Sequence, residues 1–181
     1  MLPSITFTSL TLLAGTAHSL ALANAPPSSS WQNACPAAVD GLISGTEINI
    51  LAQQGERNAT EALQAIEAKN PVDMTAFAAG KAVLVNDVMF GMTIRRYNQL
   101  IAPAGNAALA GLATYAAAQS TELALAQSLN GVPSHDSSIL AMLVTDVTNG
   151  ITLNQNNTEL AADGCYSPLL QYLPAVVADS V

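Results

Sequence analysis

Basic residues are scarce in this chain: five Lys and Arg stand against 13 Asp and Glu in 181 residues, a formal net charge of −8. That balance excludes a protein that grips nucleic acid electrostatically, which needs a basic face to neutralise phosphates. It also argues against docking on, or stable insertion into, an anionic membrane. Aromatics make up 4% while half of all residues are hydrophobic, so the core must be built from Ala, Leu, Ile and Val. Only 10% of residues are charged and the mean hydropathy is +0.33, which excludes disorder over most of the length. The length suits one domain of ordinary size.

Histidine and cysteine are just as sparse, two of each. No Asp/Glu cluster has metal-ligand spacing, so no metal and no cofactor are expected. The sequence lacks G-x-S-x-G, H-E-x-x-H, a P-loop and a dinucleotide fingerprint. Ser134-His135-Asp136 contains the residue types of a catalytic triad. Consecutive residues cannot converge as a triad must, so this reads as a polar connector and no catalytic residue is expected.

What is present begins with an export signal. Leu10 to Leu22 is apolar with small residues, and Ala21-Leu22-Ala23 matches a signal-peptidase site. Residues 1–23 are therefore expected to be a signal peptide and 24–34 a flexible mature N-terminus. In an oxidising compartment Cys35 and Cys165 have one intramolecular pairing available, which would tie the start of the folded region to its end. Free thiols and an intermolecular bond remain the alternatives. Secretion also makes Asn58-Ala59-Thr60 and Asn156-Asn157-Thr158 candidate N-glycosylation sites.

Between the cysteines the apolar residues recur at helical spacing. One stretch starts after Pro36 with Val39, Leu42, Ile43, Thr46 and Ile50 on a face, weakens at Gly55 and reaches Lys69. A second begins at Asp73, a good N-cap, with Phe77, Leu84, Val85, Val88, Met89, Met92 and Leu100 as its buried face. A third, Ala-rich, ends at Asn130-Gly131, and a fourth is capped by Ser137 or Ser138. The expected fold is all-α, an up-down antiparallel bundle of four helices over 35–165, or five if the first stretch breaks at Gly55. An even number of crossings returns the chain to its starting end, where Cys35 can meet Cys165. Residues 166–181, interrupted by Pro168 and Pro174, read as a strap with a loose end.

Two interior features are candidate sites. Asp87, Arg95 and Arg96 lie within an otherwise apolar helix, where an arginine could pair with a carboxylate or hold an acidic ligand head group; a solvated helix face is the competing reading. Met89, Met92, Leu112, Leu123 and Met142 could line an apolar channel for a fatty acid, against the plainer reading of tight helix packing.

Cys35-Pro36, SGTEINILAQQGE (44–56), NQLIAPAGNAALAGLA (98–113), TELALAQSLNG (121–131) and GITLNQNNTELAADGC (150–165) resemble a family of small secreted proteins of filamentous fungi. The resemblance implies an effector or elicitor that meets a host or cell-wall component and provokes plant defence or cell death, a role in virulence. More remotely, the Ala-rich helical character is similar to the hydrophobic-surface-binding and cell-wall galactomannoprotein family, which implies binding of apolar surfaces or lipids.

Overall fold

The structure, a computed structural model, describes residues 34–172. The expected signal peptide, nearly all of the expected mature N-terminus and the end of the tail lie outside these residues. Within them the protein is an all-α, up-down bundle of four helices: α1 (Ala37–Glu67), α2 (Met74–Ile101), α3 (Ala108–Ser128) and α4 (Pro133–Ala161). A short 3₁₀ turn, Pro168–Tyr172, follows. Helix α1 packs on α2 and α4, and α3 packs on the same two, so α1 and α3 face each other across the diagonal.

The helix starts follow local chemistry. Asp73 caps α2 as expected, its Oδ1 accepting from the Thr75 and Ala76 amides at 3.0 Å each. Lys81 of α2 donates from Nζ to the Gln127 and Leu129 carbonyls at 2.6 Å each, satisfying the C-terminal end of α3. Gly131, at φ +81°, takes the left-handed conformation that ends this segment.

One open alternative is closed and one expectation is corrected. Gly55 does not break the first helix: α1 is continuous over 31 residues, and the small residue accommodates the Asp87 carboxylate of α2 beside it. The last helix begins at Pro133 rather than at Ser137 or Ser138. Proline suits the first turn, and Asp136 folds back so that Oδ2 accepts from the Asn130 and Gly131 amides at 2.9 and 2.7 Å. Ser134-His135-Asp136 is thus the first turn of α4 rather than a connector.

Cys35 and Cys165 are bonded, with Cα atoms 4.9 Å apart. The closure is reinforced by the Cys35 amide donating to the Tyr166 carbonyl at 3.0 Å and by Ser167 Oγ donating to Asp40 at 2.8 Å. Beneath this end lies one apolar cluster, with Val39, Leu42, Ile43, Ala108, Leu112 and Ala161. Leu169 and Leu170 pack against it, so the described part of the tail is a strap. A second cluster, with Leu63, Phe77, Leu84, Val88, Leu129, Leu140 and Leu143, fills the other half of the bundle.

Candidate functional site

Neither apolar cluster contains the polar residues that the helices bury between them. Asn49, Gln53 and Glu56 of α1, Arg95 and Asn98 of α2, Gln119 and Glu122 of α3, and Asn154 and Asn157 of α4 are all buried. They form a polar middle section.

Its geometry repeats. In α1, Gly45, Asn49, Gln53 and Glu56 fall at the spacing of Gly111, Tyr115, Gln119 and Glu122 in α3. In α2, Leu84, Asp87, Val88, Gly91, Arg95 and Asn98 fall at the spacing of Leu143, Asp146, Val147, Gly150, Asn154 and Asn157 in α4. The contacts repeat too. A Cβ on Gly45 would collide with the Asn98 amide, and one on Gly111 with the Asn157 amide. Gln119 accepts at Oε1 from Arg95 Nε at 2.8 Å, while Gln53 accepts at Oε1 from Asn154 Nδ2 at 2.9 Å. The two helical hairpins are therefore related by an internal two-fold repeat, and the polar section lies where they meet.

Many of these groups lack partners within the protein. Both side-chain atoms of Asn49, Gln53 Nε2, Glu56 Oε1, Gln119 Nε2 and both oxygens of Glu122 are buried without a hydrogen bond. Burial, with Glu122 and Asp87 nearby, pushes the Glu56 carboxyl up to about 8; burial, with Asp146 nearby, pushes Glu122 up to about 7. Both carboxyls are neutral in a mildly acidic medium. Arg95 is held by two neutral amides: besides Gln119, its Nη1 donates to Gln99 Oε1 at 2.7 Å. Burial and the neighbouring Arg96 lower its pKa.

The expected site residues divide. Arg95 is buried as the interior reading requires, Asp87 is half-buried beside Gly55, and Arg96 is exposed on the solvent side. No carboxylate hydrogen-bonds Arg95; its partners are glutamines. Of the expected apolar lining, Leu112 is buried in the disulfide-end cluster, whereas Met92 and Leu123 pack against the other. Met89 and Met142 face outward, as does Leu100, 83% exposed. Periodicity of hydrophobic residues puts Met89 and Leu100 on the inner face of α2, whereas the residues α2 buries include Gly91, Arg95 and Asn98.

No family model, curated protein or solved structure matches this chain. The internal repeat is thus the clearest pointer to the site. It could have been found by sliding the sequence along itself, since L-x2-D-V-x2-G-x6-N occurs at 84–98 and again at 143–157.

No group of three or more His, Cys, Asp or Glu side chains is arranged to hold a metal ion among the described residues. At the far end of α4, Asp136 lies 2.6 Å from His135 Nδ1 and below its ordinary pKa, through His135 and the Asn130 and Gly131 amides, despite its burial. Its contacts fasten the α3–α4 turn. Asn58 and Asn156 are both exposed, on the outer faces of α1 and α4.

Proposed function

We propose that this protein is a secreted, non-enzymatic binding protein of the effector or elicitor kind, which recognises a host or cell-wall component through the outer face of α2. The observation that carries the reading is an asymmetry between the repeats. Val83, Met89, Phe90, Tyr97 and Leu100 are all at least half exposed along α2. The equivalent outer positions of α4 are Met142, Thr148, Asn149, Asn156 and Glu159, mostly polar. The interior repeats while the exterior does not, and an apolar row on a water-facing helix suits an interaction surface. Helix α2 is apolar and long enough to cross a membrane by composition, yet its buried residues pack into the bundle.

Three further points support the reading. A disulfide suits an oxidising extracellular compartment. A glycan on Asn156 would cover the outer face of α4 and leave that of α2 free. The resemblance to small secreted fungal proteins has the same direction. A carrier of fatty acids draws less support, because the polar section interrupts any acyl-chain path between the two apolar clusters.

The test is infiltration of purified protein into leaf tissue beside the Phe90→Lys/Tyr97→Lys variant. The wild type should provoke a defence or cell-death response that the variant loses while keeping its melting temperature. No response in any plant, or a full response from the variant, would overturn the reading.

A further inference from the structure

Helix α2 carries two seams. On the inner one, Leu84, Val88, Gly91, Arg95 and Asn98 advance by alternating steps of four and three residues and are buried in the bundle. On the outer one, Val83, Asn86, Phe90, Thr93, Tyr97 and Leu100 advance by the same alternation and are all exposed. Steps of three and four are the period of a helix packed along its length on another helix. The bulky members Val83, Phe90 and Tyr97 recur every seven residues, as core positions of a coiled coil do. In α4 the equivalent positions hold Met142, Thr145, Asn149, Thr152, Asn156 and Glu159, so the outer seam is no by-product of the internal repeat.

The seam is complementary to itself. Run antiparallel on a second copy, Val83 lies opposite the partner's Leu100, Phe90 opposite the partner's Thr93, and Tyr97 opposite the partner's Asn86. Each pairing occurs twice about a two-fold axis, and a Tyr hydroxyl meets an Asn amide in two of the layers. A lipid surface would leave that amide without a partner. Charge points the same way. In a chain of net charge −8, the only charged residue among those fully exposed along α2 is Arg96. In this register Arg96 and its copy stand about 13 Å apart along the pair, beyond the screening length of about 8 Å at physiological salt. The area suffices as well. Val83, Met89, Phe90, Tyr97 and Leu100 are 50–83% exposed, so a symmetric pair covers about 1,200 Å² from these side chains alone, the lower end of stable interfaces.

We propose that α2 packs antiparallel on α2 of a second copy of this chain, forming a two-fold dimer that covers the outer seam in solution. The proposal rests on the reading of the outer face of α2 as an interaction surface, and it names a first occupant. A host or cell-wall component that binds this face takes the place of the second copy, so the dimer keeps an apolar row out of water until then.

Sedimentation equilibrium of the intact, disulfide-bonded protein tests this, with the wild type expected to be a dimer. Val83→Lys and Leu100→Glu, each alone, should weaken dimerisation about tenfold or more. The double variant Val83→Lys/Leu100→Glu sets a cation opposite an anion at both ends of the antiparallel pair and should recover most of the loss. Both positions are more than half exposed, and circular dichroism checks that helix content is unchanged. A monomeric wild type, single variants that dimerise as the wild type does, or a double variant no better than the singles would each overturn the proposal. A monomeric wild type that floats with phosphatidylcholine vesicles would overturn it in favour of lipid. Leaf infiltration of the same preparations keeps the two readings apart: a monomer that elicits a response overturns only the dimer, and a dimer that elicits none overturns only the effector reading.

Discussion

Gln53 and Gln119 stand at equivalent places in the two hairpins, and each accepts a hydrogen bond from the helix paired with the other in its hairpin: Asn154 of α4 donates to Gln53 at 2.9 Å, Arg95 of α2 to Gln119 at 2.8 Å. The pair fixes the register of all four helices, because sliding one hairpin along the other breaks both bonds together. A buried polar layer of this kind selects one arrangement among many that apolar packing alone would tolerate.

Stability should fall as pH rises. Glu56 and Glu122 have folded-state pKa values of about 8 and about 7, above the ordinary value of 4.5. Between the ordinary and the raised values the folded state holds more protons than the unfolded one, so unfolding free energy decreases with pH across that window. Their contribution is fully present below about pH 4.5 and lost by about pH 8. Melting curves should show a drop of roughly 10 °C from pH 5 to pH 8. The Glu56→Gln/Glu122→Gln variant should flatten that slope. An equally steep slope in the variant would place its origin elsewhere.

Glycine-to-alanine changes should separate by position. Gly45→Ala and Gly111→Ala drive a methyl into the Asn98 and Asn157 amides and should each cost about 2–4 kcal/mol in chemical denaturation. Gly41→Ala meets only Ile101 Cδ1 at 3.5 Å, an ordinary contact. It should be neutral or stabilising by about 0.5–1 kcal/mol, since alanine is the better helix former.

The adjacent arginines should behave differently. Arg95→Ala leaves the Gln119 and Gln99 carbonyls without their donor and opens a buried gap, for a loss of about 2–3 kcal/mol. Arg96→Ala removes an exposed side chain and should stay within about 0.5 kcal/mol. Urea denaturation of the two variants side by side checks both.

The disulfide should matter for the ends of the chain as well as for overall stability. Cys35 and Cys165 are 130 residues apart, and closing such a loop contributes about 5 kcal/mol in the chain-entropy model. The Cys35→Ser/Cys165→Ser variant should lose most of that. Hydrogen exchange should also speed at the Cys35 amide, whose acceptor is the Tyr166 carbonyl.

Helix number, the closing cysteine pair and the apolar faces of α1 were legible in the residues. Val39, Leu42, Ile43, Thr46 and Ile50 repeat at the helical period and are all buried; Asp73 is an unmistakable cap. Local chemistry determines such features, because spacing, caps and turn residues act over one or two helical turns. The interior of α2 was not legible in that way. Hydrophobicity placed Met89 and Leu100 inside, and only the packed bundle showed that Gly91, Arg95 and Asn98 take those places. A glycine, an arginine and an asparagine become core residues when a facing helix supplies room and partners, as Gly45 does for Asn98 and Gln119 for Arg95. That pairing is a property of two helices at once, and no single stretch of sequence carries it.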